Sequence, residues 1–292
     1  MSRKGKQKPL YVKKREQLLG YIFLAPSFLG VSIFVLIPFL DVVRRSFSEV
    51  MTPKFVGLKN YETIFTNQAF YKAMSNTLHF IIICIPLLLI VSLLLSLLIF
   101  SIPVFKNVFK ATYLIPMAIP AGSIVLLWRI FFHNNGLVNH IIDSFGGTTI
   151  DIINSDRAFY LLVFTYLWKN VGYDMVLWIA GLNGIPTEQY EAASIDGAGA
   201  IKRFIYVTLP NLFPTLFIIT VLSLINSFKV FREAYLIAGD YPHESIYMLQ
   251  HLFNNWFIAL DIQKMSAAAV VVAIVMIVFI LILQKVTKQE EG

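Results

Sequence analysis

The chain has 292 residues, 57% of them apolar and 14% charged, with a mean hydropathy of +0.71. Soluble domains carry about 25% charged residues, so this composition excludes an ordinary soluble globule, and 25 Phe and 13 Tyr exclude disorder over most of the length. The formal charge of +7 does not mark a nucleic-acid binder, because Arg3, Lys4, Lys6, Lys8, Lys13, Lys14 and Arg15 crowd the first 17 residues, where basic residues orient a membrane protein.

In chain order, this basic tail (1–17) leads into the first of six apolar segments, at about 18–40, 78–100, 112–132, 159–181, 212–229 and 265–283. Each is close to the roughly 20 residues that a helix needs to cross about 30 Å of hydrocarbon. The first is too long for a signal-peptide core and no A-x-A site follows it, so it reads as a retained span. The third and fifth contain Pro116, Pro120 and Pro214, which neighbouring helices can accommodate by satisfying the freed carbonyls. Cys84, the one cysteine, reads as a small buried filler. The fold class expected is all-α, a polytopic membrane helix bundle of six spans (18–284) with a short tail at 285–292.

Basic residues set the direction. Besides the N-terminal tail, Lys106 and Lys110, Lys202 and Arg203, and Lys285 and Lys288 fall on one side of a six-span arrangement, which places both termini in the cytoplasm. Arg44, Arg45, Lys54, Lys59 and Lys72 in the first outer loop are a counter-signal. The outer loops carry turn signals, "NNG" and "FGGT", and aromatic runs such as "LFNNWF". They suit lateral helices packed on the bundle, or a docking surface for an outside partner. The histidines, His79, His133, His140, His243 and His251, are scattered without ligand spacing and read as ordinary loop or interface residues.

The loop between spans four and five, 185–210, is longer than a connection requires. Asn183-Gly184 signals a turn, and Pro186 suits the first turn of a helix. Glu188 and Glu191 lie where the helix dipole favours negative charge. Gly197 stands where that helix should end, in a left-handed conformation that glycine reaches cheaply. A second short helix is expected at about 200–208, with Pro210 at the entry to span five. Helix, glycine turn and helix make a rigid knob, which can transmit force.

Glu191-Ala192-Ala193, three residues, Gly197, nine residues, Val207, one residue, Leu209-Pro210 resembles the E-A-A-x3-G-x9-I-x-L-P cytoplasmic loop of permease subunits of ATP-binding-cassette importers, with Val207 in place of Ile. "FLAPSFLGVSIFVLIPFLDVVRRSF", "YLIPMAIPAGSIVLLWRIFFHNNGLVN" and "WKNVGYDMVLWIAGLNGIP" look like the carbohydrate-uptake branch of that family, the maltose- and glycerol-phosphate-type first subunit. "IAGDYPHES" stands where members often carry Gly-Gly-Pro.

The resemblance implies a bacterial inner-membrane subunit that pairs with a second homologous permease, two ATPase subunits docked through Glu191, Ala192, Ala193, Gly197, Val207, Leu209 and Pro210, a solute-binding protein outside, and a sugar as cargo. It implies no cofactor in this chain, since ATP and Mg belong to the ATPases, and the sequence has no G-x4-G-K-[ST] loop.

Span four holds the densest set of intramembrane polar residues. At 100° per residue, Tyr166, Lys169, Asn170, Tyr173 and Asp174 share about 140° of arc. Such a stripe serves a sugar pathway, with donors, acceptors and stacking faces, or else an interhelical network or a contact with the partner permease. Asn226 and Ser227 on span five are a second candidate pair. Lys169 favours a partly anionic cargo and Asp174 argues the other way. Arg129 reads as a snorkelling residue, and Ser266-Ala267-Ala268-Ala269 as a small face for close packing. A stand-alone secondary transporter or channel would show paired broken helices or repeats. A membrane enzyme would show a catalytic cluster.

Overall fold

A computed structural model describes residues 10–49, 54–100, 102 and 106–289. Most of the basic tail, Arg3 to Lys8 included, lies outside the described residues, as do 290–292 of the C-terminal tail. The described fold is all-α, with β structure confined to an isolated bridge between Ser48 and Phe55. The chain divides into two compact units, Met1–Ile64 with Asp261–Ala273, and Phe65–Leu260 with Ile274–Gly292.

The first unit contains α1 (Leu10–Val31), a π-helical stretch (Ser32–Leu36) and α2 (Ile37–Ser46) in continuous succession, then most of α3 (Lys59–Phe65). The helix begins eight residues ahead of the apolar segment expected at 18. Ser46, buried, shares a 2.7 Å hydrogen bond with the Tyr61 hydroxyl, and the Asn60 amide donates to the Ser46 and Ser48 carbonyls, both at 2.9 Å. These bonds close the loop after α2. Ala267 and Ala268 in the same unit are fully buried, in keeping with a small packing face.

The second unit contains α4 (Gln68–Phe100), α5 (Lys106–Ala118), α6 (Ala121–Phe132), α7 (Leu137–Ser144), α8 (Arg157–Asn183), α9 (Thr187–Ile195), α10 (Ala200–Arg203), a π-helical stretch (Phe204–Thr208), α11 (Leu209–Ser227), α12 (Phe231–Ala238) and α13 (Leu249–Ile258). The last helix among the described residues is α14 (Ile262–Gln289), whose residues divide between the two units after Ala273. Among the described residues, four helical stretches are long and apolar enough to cross a membrane: Leu19–Ser46, Gln68–Phe100, Ala200–Ala238 and Ile262–Lys285. The pair Val108–Ala118 and Ala121–Ser144, bent by 88°, makes a fifth if taken as one broken span. The 27 residues of α8 reach about 40 Å at 1.5 Å each, but its polar residues keep it out of that set.

Prolines explain the irregularities. Neither Pro116 nor Pro120 has an N–H to donate, and Pro120 is extended (φ −57°, ψ 139°) and pushes Ile119 out of helical conformation. The expected third span is therefore not continuous: it breaks between α5 and α6. Both π stretches end two residues before a proline, Pro38 and Pro210. The N–H of Ile37 reaches the Ser32 carbonyl, and that of Leu209 the Phe204 carbonyl, five residues back. The widened turn makes room for a proline ring that would clash with a carbonyl four residues behind it. The fifth span also runs on as helix past 229, to Ala238.

α8 is the hub of the second unit, with α4, α5 and α11 packed on it. Lipid tails are as apolar as leucine, so helices in a bilayer associate by close packing and interhelical hydrogen bonds. Gly172 lets α8 approach α5 so closely that a Cβ there would overlap the Tyr113 carbonyl, and at Gly181 a Cβ would meet the Thr215 side chain of α11. Trp178 is buried and donates through Nε1 to the Ser92 hydroxyl of α4 (3.0 Å). Cys84 is buried in the cluster of Phe80, Leu88, Phe159, Leu162 and Tyr166.

Candidate functional site

Two places in the second unit carry the chemistry singled out in the sequence. The first is a cavity of about 180 Å³ between α5, α8, α11 and α12. Tyr166, Lys169 and Asn170 of α8 and Asn226 of α11 line it, so it joins most of the predicted stripe to half of the span-five pair. Met117, Thr165, Val230 and Glu233 complete its wall. Such a volume is large enough for several waters.

The rest of the stripe turns elsewhere. Asp174, 1% exposed, accepts a 2.8 Å hydrogen bond from the Ser223 hydroxyl of α11. The Tyr166 hydroxyl donates to the Ser223 carbonyl (2.7 Å), so one serine fastens two turns of α8 to α11. Tyr173 and Ser227 do not line the cavity, and the buried Ser227 hydroxyl donates to the Leu224 carbonyl. The Asn170 amide donates to the Tyr166 carbonyl one turn back (2.8 Å). Asp174 thus bonds across to α11, and Ser227 bonds within its own helix.

Lys169 does not face Asp174. Its ammonium forms an ion pair with the Glu233 carboxylate of α12, whose side chain is 5% exposed. Glu233 is not among the sequence candidates because it falls between the fifth and sixth apolar segments, in an expected outer loop. The signal available was "FREAYLI", an amphipathic run continuing span five without a break. Arg129 is exposed; its guanidinium donates to the Leu236 carbonyl at 3.0 Å and reaches the Ile237 carbonyl at 3.4 Å, holding α6 to the end of α12. His251 is not a loop residue: it is fully buried, its Nδ1 accepts from the Met248 N–H (3.2 Å), and the Phe231 and Tyr247 rings cover it. Burial depresses its pKa to about 4, so the ring is neutral at pH 7, with its proton on Nε2. Among the described residues no group of His, Cys, Asp or Glu is arranged to hold a metal ion.

The second place is the loop 185–210. Pro186 is the residue before the helix rather than within its first turn, and α9 starts at Thr187. It ends as expected. Gly197 has φ +73°; its N–H donates to the Ser194 carbonyl (3.1 Å), and the Ala198 N–H to the Ala193 carbonyl (2.9 Å). This pair of bonds is the Schellman arrangement, which satisfies carbonyls that a helix end leaves open. The second helix occupies 200–208 as α10 and its π continuation.

Side chains then fix the two helices together. Arg203 Nη1 donates to the Ser194 hydroxyl (3.1 Å), which donates to the Tyr190 carbonyl. The Tyr190 and Thr208 hydroxyls share a 2.9 Å bond, and Asn211 donates to Gln189 (2.8 Å). Val207 packs under the turn against the cluster of Trp178, Leu182 and Leu212. Leu209 is half-buried, Pro210 is exposed at the start of α11, and Glu191, Ala192 and Gly197 are exposed while Ala193 is half-buried. The motif thus divides into an outward group and a supporting group.

Residues 65–288 match the family described as binding-protein-dependent transport system inner membrane component. The chain belongs to that family. It is a permease subunit of ATP-binding-cassette transport, not an ATPase, and the readings as a transporter working alone or a membrane enzyme fall away. It is 31% identical over 280 residues to the arabinooligosaccharides transport system permease of Bacillus subtilis (93% of this chain, 89% of that one). It is 28% identical over 281 residues to the trehalose/maltose transport system permease of Thermococcus litoralis (94% and 95%). To the sn-glycerol-3-phosphate transport system permease of an Escherichia coli strain (UTI89) it is 29% identical over 273 residues (90% and 92%). A chain in the crystal structure of a bacterial alginate transporter, in complex with its alginate pentasaccharide-bound periplasmic protein, has the same fold, with TM-score 0.80 over 97% of this chain and 98% of that one at 20% identity.

Proposed function

We propose that this permease carries a sugar across the inner membrane, that its cavity on α8 is part of the pathway, and that residues 185–210 seat in a cleft of an ATPase subunit. The arrangement has six spans, with α8 and the broken α5–α6 pair counted as two of them, and with both termini and the loop in the cytoplasm. A second homologous permease completes the pathway, two ATPases drive it, and a solute-binding protein delivers cargo from outside. The sugar assignment draws on relatives named for oligosaccharide, disaccharide and glycerol-phosphate transport.

The observation that carries the coupling role is the glycine turn at Gly197. It sets the angle between two short helices that polar side chains then clamp, and it leaves Ile195, Ile201 and Tyr206 at 87%, 76% and 76% exposure. These side chains leave apolar surface on a polar loop open to a protein partner. ATP-driven closure of the ATPase pair moves a rigid knob as one piece, and α11, continuous with its second helix, passes the motion to the cavity wall at Asn226.

Site-specific photocrosslinking tests this in the assembled transporter. A photoreactive residue at exposed Ala192 should yield an adduct with the ATPase, and one at Tyr241, 80% exposed on the segment after α12, should not. No ATPase adduct at Ala192, or an equal one at Tyr241, would overturn the assignment.

A further inference from the structure

We propose that the Lys169–Glu233 ion pair sets the charge preference of the cavity, admitting neutral polyhydroxyl solutes and rejecting anionic ones; this rests on reading the cavity as the pathway. The relatives leave the question open, since those named above include transporters named for neutral oligosaccharides and for anionic cargo, glycerol phosphate and alginate.

A lone lysine in a low-dielectric cavity would be a strong receptor for carboxylate, sulfonate or phosphate. Here Glu233 already occupies that role. An anionic solute would either place a second negative charge beside Glu233, which is 4% exposed, with no net positive charge left to receive it, or displace Glu233 and leave a buried carboxylate without its partner. A neutral sugar has no such requirement. An ammonium offers three donors and a carboxylate about four acceptor sites, and the bond between them engages one of each, so hydroxyls can bond to both with the pair intact. Asn170 and Asn226 add uncharged donors and acceptors to the same wall. Asp174 cannot reverse the sign. It lies outside the cavity on Ser223, and whether protonated or ionised it adds no positive charge to the balanced pair.

The charge preference can be read without knowing the cargo. In the assembled transporter, with Cys84→Ala removing the native thiol, Asn226→Cys reports on the cavity through its rates with anionic, neutral and cationic methanethiosulfonate reagents, each normalised to a free thiol. With the pair intact, the anionic reagent should be no faster than the cationic one. Glu233→Gln should raise the anionic-to-cationic rate ratio by about tenfold or more, and Lys169→Gln should lower it similarly. The double variant Lys169→Gln/Glu233→Gln should return it to the starting value. The opposite shifts of the two single variants, and their cancellation, are a signature that a purely structural ion pair would not give. An unchanged ratio in both single variants, with Asn226→Cys still reactive, would overturn the charge preference alone. No reaction with any reagent would overturn the pathway reading and this inference with it.

Discussion

Gly172→Ala is the smallest change that separates two helices of this permease. The added methyl would overlap the Tyr113 carbonyl and crowd the Leu114 amide. These are backbone atoms of α5, so no side-chain rotation relieves the contact; α5 and α8 must move apart or bend. Overpacking of this kind costs about 1–3 kcal/mol, and replacing a mid-helix glycine by alanine returns about 0.5–1 kcal/mol. Because the clash is with backbone that cannot rotate away, the upper end of that cost applies, and a net loss of about 1–2 kcal/mol remains, a factor of roughly 5–30 in the folding equilibrium. At about 2–4 °C per kcal/mol for a chain of this order of size, the thermal midpoint of the purified transporter should fall by about 2–8 °C. Gly122→Ala is the matched control, since a Cβ at Gly122 of α6 meets nothing within 4 Å; it should be neutral or slightly stabilising. The assay is monodispersity after heating, followed by fluorescence-detected gel filtration. Equal midpoints for Gly172→Ala and wild type, or equal losses for both glycines, would refute the close crossing of α5 and α8.

Two further outcomes follow. The folded His251 pKa is depressed from 6.5 to about 4, so the unfolded state takes up the proton first: this stabilisation is complete above about pH 6.5 and is lost as pH falls towards 4. The loss approaches about 3 kcal/mol. Hydrogen exchange in α13 should accelerate between pH 7 and pH 4.5 beyond its intrinsic pH dependence, and His251→Gln should remove that excess; an identical pH response in the two proteins would contradict it. For topology, reporters fused after Lys285 or inserted near Asp196 should be active only in their cytoplasmic form, and export-dependent activity at either position would defeat the six-span arrangement.

The loop 185–210 was legible in the sequence because its signals are local. Asn183-Gly184, Gly197 and Pro210 punctuate short helices whatever surrounds them, and only the start of α9 moved, past Pro186. The break at Pro120 was visible as an interruption but not as an 88° bend, because the angle depends on what packs against the freed carbonyls. The face of α8 was readable from its period, but not its division. Tyr166, Lys169 and Asn170 meet the cavity while Asp174, one turn on from Asn170, meets Ser223, and that choice belongs to α11. Glu233 was hidden because its partner is 64 residues away and no periodicity links the two. The same holds for His251, whose burial is decided by Phe231 and Tyr247.

The coupling role of the loop at 185–210 turns on whether it converts ATP turnover into transport. Gly197 has φ +73° and open space around its Cβ position within this chain, so Gly197→Val acts through the backbone, at about 1–2 kcal/mol, and Glu191→Lys acts through charge at an exposed position. The measurement is ATPase co-purification together with solute uptake per ATP hydrolysed in proteoliposomes holding the complete transporter. Both variants should insert and purify as permease, yet release the ATPase or hydrolyse ATP with uptake reduced about tenfold or more per ATP, as expected for a loss of about 1.4 kcal/mol at the contact. Normal ATPase retention and normal uptake per ATP in both variants would contradict it, and would make the loop a linker.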